Sequence, residues 1–140
     1  MKSSLTIRNA ELVLPNRIER ADISAVNGRI HAIGRGIPDV GEVIDAEGLY
    51  LLPGIIDPQV HFREPGADHK EDLHSGSCAA AAGGVTSYLD MPNNVPPVVT
   101  RQQMAEKKQL AAEKSVVNYG FFMGATSENL DELNLSLIHI

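Results

Sequence analysis

The sequence predicts an α/β chain, with a β segment over residues 1–52 and then, over 53–134, about the first three βα units of an incomplete (β/α)8 (TIM) barrel. Three observations predict it. Up to about residue 52 the apolar residues alternate in short runs split by turn residues, the pattern of half-buried strands. From Pro53-Gly54 onward, strand-like runs alternate with helix-like ones. The strand-like runs begin near residues 54, 85 and 116, about 31 apart, as βα units feeding a parallel sheet require. A complete eight-unit barrel takes about 250 residues, so these 140 are expected to supply only part of one.

In the first segment the strand-like runs are LTIRNAELVL, ADISAV, RIHAIG, EVIDA and LYLL. Asn27-Gly28 separates ADISAV from RIHAIG, and both residues tolerate positive φ, so the pair suits the type I′ turn that matches strand twist. A sheet of about 50 residues has too little core to stand alone and is expected to pack on further chain. In the second segment GIIDPQVHF (54–62) reads as a strand. EDLHSGSCAAAA (71–82) reads as a small-residue helix, with Asp68 and Glu71 at capping-box spacing and Gly83-Gly84 closing it. VTSYLDM (85–91) is the next strand. TRQQMAEKKQLAAEK follows as a helix in which Thr100 and Gln103 have capping-box spacing, and VVNYGFFM (116–123) is the third strand. The closing LSLIHI resembles the translation of a sequencing adapter, and residues 135–140 are read as a non-native tail.

Twelve Lys and Arg against 18 Asp and Glu give a net charge of −6, which argues against a nucleic-acid partner. With 43% hydrophobic residues the chain can build a core. The one cysteine, Cys78, excludes an intramolecular disulfide framework and a multi-cysteine zinc site and suits a reducing cytoplasm. The opening MKSSLTIRNAELVLP lacks the continuous apolar region of a signal peptide, and no apolar run nears the roughly 20 residues that cross a bilayer. A cytoplasmic protein with no membrane partner is expected.

The stretch PGIIDPQVHFREPG (53–66) carries the most chemistry. On a strand Ile55, Asp57, Gln59 and His61 share one face while Ile56, Pro58, Val60 and Phe62 share the other, predicted to be apolar and covered. The polar face ends at the rim where βα barrels assemble their sites, which makes His61 the best metal-ligand candidate. Arg63 and Glu64, stiffened by Pro65-Gly66, place charge on the loop just beyond. The other histidines lack ligand spacing. His31 lies in the β segment, His74 on a helix and His139 in the suspect tail, while His69 beside the loop reads as a surface residue. Lys70, Glu71 and Asp72 read as a solvated helix start, and Cys78 as a small buried hydrophobe.

PGIIDPQVHFREPG, HKED at 69–72 and GGVTSYLDMPN at 83–93, with the β segment before them, resemble a dihydroorotase of the amidohydrolase superfamily over about residues 5–130. The resemblance implies a barrel flanked by a β-sandwich built from both chain ends, so residues 1–52 become a β-sandwich segment. It implies reversible hydrolysis of the cyclic amide of dihydroorotate to N-carbamoyl-aspartate in pyrimidine biosynthesis. One or two divalent ions, zinc or similar, would polarise the ring carbonyl and activate water.

The family pattern ends its first barrel strand with two metal-binding histidines one residue apart. His61 matches the second, but Gln59 stands at the first and offers only a neutral amide oxygen, a poorer donor for zinc. Arg63, 30 residues before Asn93, matches with it the pair that grips the substrate carboxylate, a role suited to the paired donors of a guanidinium. The remaining ligands and the catalytic aspartate belong to later strands, so these residues hold no catalytic group and are expected to be inactive alone. Partners implied are the small-molecule substrate, further copies of the protein, or aspartate carbamoyltransferase. Two alternatives stand beside this reading. One is a hydantoinase or allantoinase, against which Arg63 argues. The other, motivated by Gln59, is a non-catalytic scaffold for aspartate carbamoyltransferase.

Overall fold

The computed structural model describes residues 4–137, which form two compact units, one up to Pro53 and one from Gly54. The first unit is one five-stranded sheet. Its strands are β1 (Ser4–Leu14), β2 (Arg17–Val26), β3 (Arg29–Gly34), β4 (Glu42–Asp45) and β5 (Tyr50–Leu51). The order is β3-β2-β1-β4, and β5 also pairs with β1. β1, β2 and β3 run antiparallel, whereas β4 and β5 lie parallel to β1.

The β2–β3 turn is the one the sequence predicts, with Asn27 at φ 55° and Gly28 at φ 76°. β2 begins four residues before ADISAV, because Pro15-Asn16 turns the chain straight out of β1. The β1–β2 register slips between Ile7 and Ala10, where Asn9 has φ 60°. That bulge is held from the side. Asp22 accepts from the backbone N–H groups of Asn9 and Gly36 and from Arg8, and these bonds, led by that of Asn9, hold its carboxyl below the ordinary 3.8. Ala10, Leu12, Ala21 and Ala46 make the small buried core, with Ile7 and Leu51 against it. Ile30 and Ile33 stay 65% and 51% exposed, so the sheet leaves apolar surface uncovered, as so short a segment must.

The second unit alternates strand and helix through β6 (Ile55–Val60), α1 (Leu73–Ala82), β7 (Val85–Asp90), α2 (Arg101–Lys114), β8 (Asn118–Phe121) and α3 (Leu130–Leu137). The three strands are parallel and adjacent in the order β6-β7-β8, as a chain of βα units dictates. Leu73, Tyr88 and Ala111 form its core, with Val60, Phe62, Leu110, Val117 and Phe121 packed on them. Phe62 and Tyr88 meet with ring centroids 4.7 Å apart. Gly76 lets α1 approach, since a Cβ there would run into the Phe62 ring.

Several local expectations are corrected. α1 starts at Leu73, and its capping box is Asp72 with Ser75 rather than Asp68 with Glu71. Asp72 immediately precedes the helix and accepts the Ser75 N–H at 2.6 Å, while Ala67 and Lys70 close a turn that keeps Asp68 away from it. The Thr100–Gln103 box at the start of α2 forms as predicted. Cys78 is exposed rather than buried, because the buried side of α1 falls to Leu73, Gly76 and Ser77. The face of β6 predicted to be covered is covered only at its end, since Val60 and Phe62 pack into the core while Ile56 is 65% exposed. The sequence pattern predicts no helix where α3 forms. That helix is anchored at Asn129, whose amide donates to the Val99 and Gly124 carbonyls. Residues 138–140 of the suspect tail, His139 included, lie outside the described residues.

Candidate functional site

The segments that follow β6 and β7 carry every residue the sequence singles out for metal or substrate, apart from Gln59 within β6 itself. The two strand ends are tied together, because the Met91 N–H donates to the Val60 carbonyl at 3.0 Å and the Phe62 N–H to Asp90 Oδ1 at 3.1 Å. His61 and Asn93 come together. His61 Nδ1 lies 2.9 Å from Asn93 Oδ1, and an amide oxygen can only accept, so Nδ1 carries the hydrogen. In the neutral ring the lone pair is then on Nε2, the state in which an imidazole binds a metal while its other nitrogen is oriented by a neighbour.

Arg63 sits at φ 64°, half-buried, and among the described residues it joins no ion pair. Asn93 is exposed and bonds to His61 rather than to Arg63, and its amide NH2 remains for another acceptor. Gln59 is exposed, with its backbone N–H bonded to Asp57. One imidazole and one neutral amide oxygen fall short of the three protein ligands of a catalytic zinc site. Among the described residues no group of three or more His, Cys, Asp and Glu side chains could hold a metal ion. By themselves these residues do not make a metal centre. His69 is exposed, and His74 contacts the Lys114 carbonyl and Cys78, away from His61 and Asn93.

Beneath these side chains lies a layer of buried charge that the sequence reading does not predict. Glu64 is 5% exposed. Its carboxylate accepts from the first N–H of α1, at Leu73, and from Lys114, while its carbonyl accepts from Asn94 Nδ2 at 2.8 Å. The bond to Glu64 raises the Lys114 ammonium above its ordinary value. Lys107 is 1% exposed. Its Nζ lies 2.7 Å from Asp90 Oδ2 and 2.7 Å from Asn94 Oδ1, with the Phe121 ring centroid at 4.7 Å. Burial pulls the Lys107 ammonium down from its ordinary value, and Asp90 opposes that shift. The sequence holds one signal for it. Met104, Lys107 and Ala111 are the buried stripe of α2 at helical spacing, so a lysine occupies a core position.

Gly66 completes the local frame at φ 96°, where a Cβ would overlap the Val95 carbonyl and force the two segments apart.

A family model described as dihydro-orotase-like matches residues 48–136. The chain belongs to the dihydroorotase-like family. Over 136 residues, 96% of its length, it is 42% identical to an allantoinase of Deinococcus radiodurans, of which it spans 30%. It is 43% identical to a dihydroorotase of Methanosarcina acetivorans over 129 residues, 91% of this chain and 27% of that protein. Among solved structures, the L-hydantoinase (dihydropyrimidinase) of Arthrobacter aurescens superposes with a TM-score of 0.87 at 30% identity, over 99% of this chain and 31% of that one. The dihydroorotase-like chain thus spans about 30% of the relatives it matches. The allantoinase match is as strong as the dihydroorotase one, so overall likeness does not single out dihydroorotase. No helix among the described residues is long and apolar enough to cross a membrane.

Proposed function

We propose that the protein containing this chain hydrolyses a cyclic amide, and that its substrate is dihydroorotate, opened reversibly to N-carbamoyl-aspartate in pyrimidine biosynthesis. The family supports the reaction class, its relatives being named dihydroorotase, allantoinase and hydantoinase. The observation that carries the substrate is Arg63. A half-buried guanidinium without an ion pair among the described residues, two residues after a histidine bonded to Asn93, is suited to an anionic group on the ring. In this reading Arg63 and the Asn93 amide NH2 bind the ring carboxylate, and His61 orients Asn93 while offering Nε2 outward. The whole protein completes a (β/α)8 barrel and supplies the divalent-metal chemistry, with His61 as one donor and Gln59 as a weak neighbour to it.

Allantoinase or hydantoinase activity is the second reading, favoured by an identity to named allantoinases as high as that to dihydroorotases. Neither allantoin nor hydantoin presents a ring carboxylate to Arg63. The two readings separate in one assay of the full-length protein with L-dihydroorotate, allantoin and hydantoin at equal concentration. Preference for L-dihydroorotate is expected, and preference for either of the others overturns the assignment. Absence of all three activities in a protein that binds aspartate carbamoyltransferase would instead identify the scaffold that Gln59 suggests.

A further inference from the structure

We propose that Lys107 is a positioning residue for the substrate site, holding the segments that carry His61, Arg63 and Asn93 in one arrangement through Asp90 and Asn94. The proposal rests on the reading above, in which those side chains receive the substrate.

The physical puzzle is why α2 buries an ammonium. Its neighbours on the stripe are Met104 and Ala111, and a methionine or leucine at 107 would serve packing without the cost of desolvating an ion. The contacts of Nζ supply the reason. They are Asp90 Oδ2 at 2.7 Å, Asn94 Oδ1 at 2.7 Å, the Met91 carbonyl at 3.4 Å and the Phe121 ring. Three of the four lie in the stretch 90–94, at the end of β7, and bracket Asn93.

From there the same two side chains reach across to the β6 side. Asp90 uses its other oxygen, Oδ1, to fix the Phe62 N–H, and Asn94 uses its Nδ2 to fix the Glu64 carbonyl. Residues 62 and 64 flank Arg63. The backbone on each side of the guanidinium is therefore one hydrogen bond removed from a ligand of the Lys107 ammonium. Arg63 itself lies at φ 64°, a conformation that asparagine and glycine adopt readily but that an arginine keeps where its surroundings hold it there. The buried ion supplies that constraint from a helix that contributes no side chain to the site.

The test uses the full-length protein with Lys107→Met, Asn94→Ala and the double variant, reading kcat and KM for L-dihydroorotate and the amide exchange of residues 61–66. Each single variant is expected to raise KM at least about tenfold with kcat within about threefold, and to speed exchange at Phe62 or Glu64, whose N–H groups are bonded to Asp90 and to the Phe62 carbonyl. The double variant is expected to be no worse in KM than the worse single, because both act through one chain of contacts. Loss of thermal stability with KM unchanged would reduce Lys107 to a structural role and overturn the proposal, as would additive effects on KM. Should Lys107→Met fail to fold, Asn94→Ala, which keeps the Asp90–Lys107 pair, decides alone by the same KM criterion. If the wild-type protein does not open L-dihydroorotate, the functional reading fails separately. Exchange at residues 61–66 then judges Lys107, and unchanged exchange in both variants overturns it.

Discussion

In the N-terminal sheet Arg17 meets Glu19 and Arg20 meets Glu47 at the surface, whereas in the βα unit Lys107 meets Asp90 with side-chain exposures of 0% and 1%. The same chemistry does different work in the two places. Exposed pairs are screened by water and salt and contribute little. The buried pair gives up hydration, and Asp90 and Asn94, both held by Lys107, bond to the backbone on either side of Arg63. Asp22 of the sheet lies between these extremes. It is 7% exposed, and backbone N–H groups rather than a buried cation satisfy most of its carboxylate. The sheet thus uses charge at a strand bulge, and the βα unit uses it to tie the segments after β6 and β7 together.

Breaking the buried pair gives the largest expected effect. Lys107→Met leaves Asp90 without its cation and is expected to lower the unfolding free energy by about 3–5 kcal/mol, measured by urea denaturation of the full-length protein. Removing the charge at both ends, Lys107→Met with Asp90→Asn, is expected to recover part of that loss. Arg20→Ala in the sheet is expected to leave the urea midpoint unmoved, and a comparable drop there would erase the contrast.

Next in size is Gly66→Ala. The added Cβ meets the Val95 carbonyl at a φ that disfavours side chains, and about 1–3 kcal/mol of destabilisation is expected, read by the same denaturation experiment. The smallest effect sharpens the role of Asp22. Its folded-state carboxyl titrates below the ordinary 3.8, so its stabilisation is present above that value and is lost as pH falls through the lower folded-state value. Between about pH 5 and pH 3 the stability of the wild type is expected to fall more steeply than that of Asp22→Asn, as thermal midpoints across that range would record.

Much of this was legible in the sequence because it is local. Alternation placed β1 through β5, Asn27-Gly28 set its turn, and Thr100 with Gln103 capped α2. The strand starts near 54, 85 and 116 gave the parallel order β6-β7-β8. The cap of α1 is not legible because Asp68 and Asp72 offer the same side chain at neighbouring spacings, and only the turn closed by Ala67 and Lys70 distinguishes them. Within the site, His61, Arg63 and Asn93 stood out by type and motif. The support beneath them did not, because Asp90, Asn94 and Lys107 converge from β7, the segment after it and α2, and no spacing rule links those positions. Lys107 was the one visible hint, as a charge on an apolar stripe.

The most direct test of the functional account is the kinetics of Arg63→Ala in the full-length protein with L-dihydroorotate. Hydrogen bonds to a charged group contribute about 1.5–3 kcal/mol each, so KM is expected to rise by about one to two orders of magnitude. The thermal midpoint is expected to stay put, since Arg63 joins no ion pair among the described residues. An unchanged KM in a folded, active variant would contradict the proposal that Arg63 holds the substrate's carboxylate.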